Sequence, residues 1–351
     1  MNILFICSAK IWGGNEKWIS MTMQGLKTKH KVYFLGKNRE LYDNFGKNIT
    51  AFWAPFHSVF DFRTKAIIKG IVNEYKIDLI ISTKKKEYFL GGLVARSMGT
   101  RHIIRLGITR KMSIPLWHQL IYRSLNDGII VNALRIKEEL CRYPWMRDHP
   151  IRVIYNGVSL PGLTYSREKR VDNDFFTIVS TGMLTRRKGH HILLEGLSLL
   201  PADKLRGIRV HILGTGKYES ALKTIVQKRG LGKIVSFHGF SNPAYWLQRA
   251  HLFCLLSANE GISNALIESM FYGIPSLSTC AGGATEVIQD GQNGFLVERT
   301  PAGVAGKLQC IMEMPEDELR TIGEEGQKRV RTKFSMETMI HEMEAFLHNF
   351  V

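Results

Sequence analysis

Two acids eight residues apart, Glu260 and Glu268, straddle a helix start in the stretch ANEGISNALIESMFYGIP, residues 258–275. The apolar strand HLFCLLSA precedes it, and Ser263 is placed to cap a helix that runs to about Tyr272, where Gly273 and Pro275 stop it. A ligand lying across that elbow can meet both acids. Glu268 can accept hydrogen bonds from vicinal hydroxyls such as those of a ribose, and Glu260 can face a hydroxyl-rich sugar. The backbone N–H groups of Ser263, Asn264, Ala265 and Leu266 can face a phosphate. A solvated pair of surface acids is the plain alternative, and spacing alone does not exclude it.

Basic residues stand at a second elbow. In STGMLTRRKGHHILLEGL, Arg186, Arg187, Lys188 and Gly189 head a helix, where cations oppose the helix dipole. That placement predicts that an external anion supplies the missing charge. Gly13 and Gly14, between a first strand and a helix, and Gly214 and Gly216 in HILGTGKYES leave room for a phosphate to approach backbone N–H groups. Ordinary strand-to-helix turns use glycine in the same way.

These elbows need strands and helices to hold them. The apolar runs NILFIC, KVYFLG, IDLIIS, HIIRLG and GIIVNA recur with helical segments between them, followed by FFTIVSTG, IRVHILGTG, IVSFHGF, LFCLLSA and PSLSTC. This alternation predicts an α/β protein of two doubly wound Rossmann-like domains, residues 1–160 and 161–351, facing each other across a cleft. Ligands in such sheets sit beyond the strands' carboxyl ends. A linker without apolar periodicity separates the domains, with its boundary near Leu160 to Asn173. The last segment, FSMETMIHEMEAFLHNFV, carries a helical stripe of Phe334, Met339, Ile340, Met343, Phe346 and Leu347, so it packs on a core and can return to the first domain.

With 44% hydrophobic and 23% charged residues in 351, the chain reads as an ordinary globular protein. No run suffices to cross a bilayer, and the first residues lack the features of a secretory signal. Five scattered cysteines (Cys7, Cys141, Cys254, Cys280, Cys310) form no CxxC pair, which points to a reducing cytoplasm and to no zinc ribbon. The net charge is +17, and residues 1–160 hold 26 Lys and Arg against 11 Asp and Glu. The resulting +15 draws a polyanion to the first half. Asp172-Asn173-Asp174 spells a DxD in the linker, where turn-forming residues are common, and His190 and His191 are adjacent at a helix start, unsuited to one metal. No metal site is assigned.

The second half strings together NGVS, GMLTRRKG, GTG, HGF, EGISNALIE, GIP and GGATEVIQDGQNGFLV. In that order, over Asn156 to Val297, it resembles the retaining glycosyltransferases of family 4, which have the GT-B fold and use nucleotide-sugar donors. The resemblance implies that Glu260 faces the donor sugar and Glu268 binds ribose hydroxyls. It implies that Arg187 and Lys188 hold the donor diphosphate without a metal, that Gly13 and Gly14 assist from the other domain, and that Phe240 and Ser241 meet the base. Three positions depart from the family pattern: Met183 stands where Arg is frequent, Ser159 follows the NG pair in place of Asp, and Arg105 ends the strand after which many members carry His. No catalytic histidine is therefore assigned.

The implied reaction moves a sugar from a UDP- or GDP-linked donor to a glycan or lipid-linked acceptor, in lipopolysaccharide, capsule or other cell-surface glycan synthesis. Residues 101–123 interleave Arg101, Arg105, Arg110, Lys111 and Arg123 with Ile108, Met112, Ile114, Leu116, Trp117 and Tyr122, and Lys84 to Lys86 extend the set. Arg105, Arg110 and Lys111 are the acceptor-side candidates. Such mixing suits an anionic membrane surface on the inner face of the plasma membrane, although a core flanked by solvated cations has the same pattern. A GT-B epimerase or sugar phosphorylase is the alternative enzyme. A basic nucleic-acid-binding protein is the alternative from another class, with no recognisable nucleic-acid motif in its favour.

Overall fold

The computed structural model describes residues 1–45, 49–109, 112–158 and 175–350. The chain divides into two compact units, Met1–Gly157 with Met336–Val351, and Val158–Ser335. Each is built on one parallel sheet.

In the first unit β1 (Asn2–Cys7), β2 (Lys31–Gly36), β3 (Thr50–Trp53), β4 (Leu79–Ser82), β5 (Arg101–Leu106), β6 (Gly128–Val131) and β7 (Ile151–Val153) lie in the order 3-2-1-4-5-6-7. In the second, β8 (Phe176–Thr181), β9 (Ile208–Leu213), β10 (Val235–Phe237), β11 (Leu252–Leu255), β12 (Ser276–Thr279) and β13 (Phe295–Val297) lie in the order 10-9-8-11-12-13. Strand order therefore reverses between β1 and β4 in one sheet and between β8 and β11 in the other. The crevice beyond such a reversal is where a doubly wound sheet accepts ligands.

The physical basis of the sheets is visible in β1. Its pleat sends Ile3, Phe5 and Cys7 to one face and Leu4 and Ile6 to the other, and all five are buried. One face packs the helix Gly14–Leu26 through Trp18, Ile19 and Met23; the opposite face packs Phe62–Glu74 and Lys85–Met98 through Ile68, Val72, Leu90 and Val94. A sheet covered on both sides needs continuous apolar strands, which is why these runs are legible. The expected linker residues 159–174 lie outside the described residues.

The helix Met336–Leu347 joins the first unit. Met339, Met343, Phe346 and Leu347 complete the core on the Trp18 face. The last helix returns to the first sheet, as its apolar stripe allowed, so the second unit ends at Ser335 and not at residue 351. Phe334, read as part of that stripe, is buried in the second unit instead. Lys29 fastens the returning helix by an ion pair to Glu344 at 2.8 Å, and Arg101 Nε donates to the Phe350 carbonyl at 3.0 Å.

The helix Gly14–Leu26 meets the returning helix at Gly25, where a Cβ would lie 2.4 Å from the Ile340 side chain. Gly25→Ala is expected to lower unfolding free energy by about 1–3 kcal/mol through overpacking. Gly70→Ala, in the helix Phe62–Glu74 with nothing within 4 Å of the new methyl, is expected to leave stability unchanged or raise it by up to about 1 kcal/mol. Urea denaturation of the two variants checks the contrast.

Candidate functional site

The loop after β8 and the loop after β11 meet at the reversal of the second sheet. After β8 a single tight turn, Arg186–Lys188, precedes the helix His190–Leu197. After β11, residues 256–263 lead into the helix Asn264–Phe271. The two loops are stitched together by backbone: Ala258 N–H donates to the Arg187 carbonyl at 2.8 Å. Arg299 reinforces the join, donating from Nε to the Leu256 carbonyl at 3.1 Å and from Nη2 to the Arg186 carbonyl at 3.3 Å.

At that join Glu260 Oε1 receives Lys188 Nζ at 2.7 Å and Arg187 Nη1 at 2.7 Å. Ser257 Oγ donates to the same oxygen at 3.0 Å, and Arg187 Nη1 also reaches the Asn259 carbonyl. Burial opposes the charged carboxyl, but the Lys188 and Arg187 charges and the hydrogen bonds from Lys188 and Ser257 outweigh it and hold the group below its usual range. The anion inferred from the cationic turn is thus supplied in part by the protein itself. Arg187 and Lys188 share one carboxylate, and Arg186 and Arg299 stand in the same join, so the elbow keeps a net positive charge.

Gly282, which the sequence reading quoted only inside GGATE, shapes this loop. Its φ is +61°, and a Cβ there would lie 1.6 Å from the Glu260 carbonyl oxygen. Gly283 N–H then donates to the Gly261 carbonyl at 3.1 Å. A small pocket lined by Ser257, Glu260, Gly261, Ser263, Leu266 and Ser278 opens beside the ion pairs.

Ser263 occupies the helix N-cap position but its side chain makes no cap hydrogen bond, and the helix ends at Phe271 with Gly273 in the left-handed region at φ +68°. Of the N–H groups expected to face a phosphate, those of Asn264 and Ala265 open the helix and that of Leu266 donates to the Ser263 carbonyl at 3.1 Å. Glu268 is buried on the same helix, outside the pocket lining. After burial, its charge is the second influence that raises the Tyr272 phenol's pKa. Gly214 and Gly216 have a packing reason of their own to lack a side chain: a Cβ on either would strike backbone, 2.0 Å from the Gly182 carbonyl oxygen and 2.3 Å from that of Leu184. Their bareness lets the loop after β9 lie against the loop after β8. Phe240 is 79% exposed, and the neighbouring Ser241 hydroxyl is buried with no hydrogen-bond partner among the described residues.

In the first unit, Gly13 is the extended N-cap of the helix Gly14–Leu26. Glu16, one turn on, pairs with Lys84 at 2.8 Å across the reversal between β1 and β4. Lys84 is half-buried and its charge is spent on this pair. Arg105 is corrected too. Only 4% exposed, it donates from Nη1 to Asn15 at 2.8 Å and from Nη2 to Asn156 at 2.9 Å, with its guanidinium 4.3 Å from the Trp18 ring centre. Burial pushes its pKa down to about 10. Bonded through both Nη atoms, it braces the unit from within. Arg110 and Lys111, and the Asp172-Asn173-Asp174 triplet with Ser159, lie outside the described residues.

One histidine at the heart of each unit is packed. His102 Nε2 lies 2.9 Å from Ser82 Oγ, and burial lowers its pKa to about 4. His190 Nδ1 lies 3.1 Å from Ser180 Oγ, its pKa also lowered to about 4, by burial and then by Lys188. Sequence reasoning missed Ser257, Arg299 and Gly282; the glycine pair in GGATE was a signal for the last, and nothing local marked Arg299. All five cysteines are free. Among the described residues no helix is long and apolar enough to cross a membrane.

Residues 164–329 match the model of the family described as glycosyl transferases group 1, so the resemblance drawn from the motifs is borne out over that span. Over 226 residues the chain is 28% identical to the lipopolysaccharide core biosynthesis glycosyltransferase LpsE of Rhizobium meliloti, covering 63% of this chain and 64% of that protein. Over 181 residues it is 31% identical to the putative colanic acid biosynthesis glycosyltransferase WcaL of Escherichia coli, covering 48% of this chain and 44% of that protein. The chain thus spans less than two thirds of either relative's length. The crystal structure of Anabaena HepE in complex with UDP superposes with a TM-score of 0.83 at 19% identity, over 99% of this chain and 100% of that one. The fold is the one expected.

Two outcomes test the site. Gly282→Ala is expected to destabilise the protein by about 1–3 kcal/mol in urea, since both its φ and the Glu260 backbone oppose a side chain. The second is a pH dependence. A carboxyl whose folded pKa is depressed adds stability that is complete above its ordinary value of 4.5 and is lost as pH falls through the folded pKa. The melting-temperature gap between the wild type and Glu260→Gln is therefore expected to be widest at neutral pH and to close below about 4.5.

Proposed function

With residues 164–329 matching the glycosyl transferases group 1 model as the premise, we propose that this chain transfers a sugar, with retention and without a metal, from a UDP- or GDP-linked donor to a cell-surface glycan or its lipid-linked precursor. The observation that carries this is the pairing of Lys188 and Arg187 on one oxygen of Glu260 at the reversal of the second sheet. Cleavage of the anomeric bond leaves negative charge on the departing nucleoside diphosphate and positive character on the sugar. Lys188 and Arg187 offset the first, in an orientation fixed before the reaction begins. Glu260, ionised and held by those cations, faces the sugar, and Glu268 takes the ribose hydroxyls. Phe240 offers an exposed aromatic face to the base. Relatives named for lipopolysaccharide core and colanic acid synthesis support an acceptor of that kind. In this reading the protein works in the cytoplasm, at the inner face of the plasma membrane.

Lys188→Ala is expected to lower kcat by about 10²–10³, the cost of one preorganised donor to a developing anion. UDP or GDP is expected to raise the wild-type melting temperature and to do so less in this variant. Chelator is expected to leave turnover unchanged. Near-normal turnover in Lys188→Ala sinks the proposed role, and activity lost to chelator and restored by magnesium or manganese sinks the metal-free mechanism.

A further inference from the structure

The first unit exposes apolar side chains at two neighbouring projections. One is the loop entering the helix Phe62–Glu74, where Phe60 and Phe62 flank Asp61 and Phe62 is 80% exposed. The other is the start of the helix Pro115–Gln119, where Ile114, Pro115 and Leu116 are exposed in succession and Leu116 reaches 83%. The projections are bound together beneath: the Phe89 ring centre lies 5.5 Å from that of Phe60 and 4.9 Å from that of Trp117.

The charge around them is one-sided. Residues 56–69, 84–98 and 112–124, which form these projections and the helix beneath, carry eight Lys and Arg against two acids, Asp61 and Glu87; two of the eight, Lys84 and Arg96, are paired with Glu16 and Asp127 from outside these segments. Both acids are buried. Asp61 is consumed by Thr64 and His57 N–H groups at 3.0 and 2.8 Å, and Glu87 by the Thr83 and Lys84 N–H groups at 2.8 Å each. Arg63 and Lys85 are exposed, the first beside Phe62 and the second one helical turn before Phe89.

We propose that this face, Phe60, Phe62, Ile114 and Leu116 with Arg63 and Lys85 beside them, enters the headgroup region of an anionic lipid bilayer. Protruding apolar tips ringed by cations, with the nearby acids withdrawn from the surface, suit a layer that is anionic outside and apolar beneath. Protein interfaces, by contrast, are depleted in lysine. The proposal gives the inner-face location a physical basis in particular residues. It also moves that basis away from residues 101–123 as a block, since Arg105, Met112 and Tyr122 of that segment are buried.

Co-sedimentation of the full chain with phosphatidylcholine vesicles, with and without phosphatidylglycerol, tests it. The wild type is expected to bind the phosphatidylglycerol vesicles, Phe62→Ser with Leu116→Ser to bind them about tenfold more weakly, and Lys85→Glu to lose the preference for anionic lipid. All are expected to melt as the wild type does, because none of the three side chains is buried. Variants that bind as the wild type does, equal binding to neutral vesicles, or retention on RNA or an acidic protein with vesicles ignored, each overturns it. Transfer to a water-soluble acceptor, measured in the same variants, is expected to be unchanged, so failure of lipid binding and failure of the transferase reading are separately visible.

Discussion

The charged loops of the second unit converge on one oxygen atom. Glu260 Oε1 is shared by an ammonium, a guanidinium and a hydroxyl, all within 3.0 Å. Such sharing orients Lys188 and Arg187 together and keeps the carboxylate ionised despite its burial. It works only because two loops from different strands touch at backbone level. Gly282 lies against the Glu260 carbonyl, and Arg299 bridges carbonyls of both loops. The first unit places an analogous Glu16–Lys84 pair at the reversal of its own sheet, with the acid and the base contributed in the opposite chain order. In both sheets the reversal is where loops from non-sequential strands come within reach of each other, so it is where opposite charges can be assembled without being neighbours in sequence.

Interior strands were readable because burial on both faces forces continuous apolar runs, as in NILFIC and LFCL. The strands that were not foreseen, β3, β7 and β13, have three or four residues and lie at sheet edges. An edge strand packs less of its surface, so its sequence need not be apolar throughout. Thr50 and Ala51 are exposed in β3, and Arg152 in β7. The last helix was legible as amphipathic, yet no local feature says which of two cores an apolar stripe will join. That is settled by Met339, Met343 and Phe346 meeting the Trp18 face.

The site was legible in its residue types and only partly in its connections. Spacing placed Glu260 and the Arg187-Lys188 pair at helix starts, and the helix dipole argument called for an external anion there. It did not reveal that Glu260, some seventy residues away, supplies one from within. Arg105 looked like surface basicity because cations are mostly exposed; two asparagines and an indole ring make its burial tolerable. Gly214 and Gly216 looked like phosphate-binding glycines, since close approach to a ligand and close approach to backbone leave the same mark on a sequence.

The return of the helix Met336–Leu347 sets an order on synthesis. A nascent first unit emerges with its Trp18 face uncovered, and the residues that seal it are translated only after the whole of the second unit. The intervening unit can close its own core in the meantime, because Val158–Ser335 is continuous in the chain. On the ribosome the amino-terminal half is thus the last to be finished, and the apolar strip it shows meanwhile is a natural station for a chaperone.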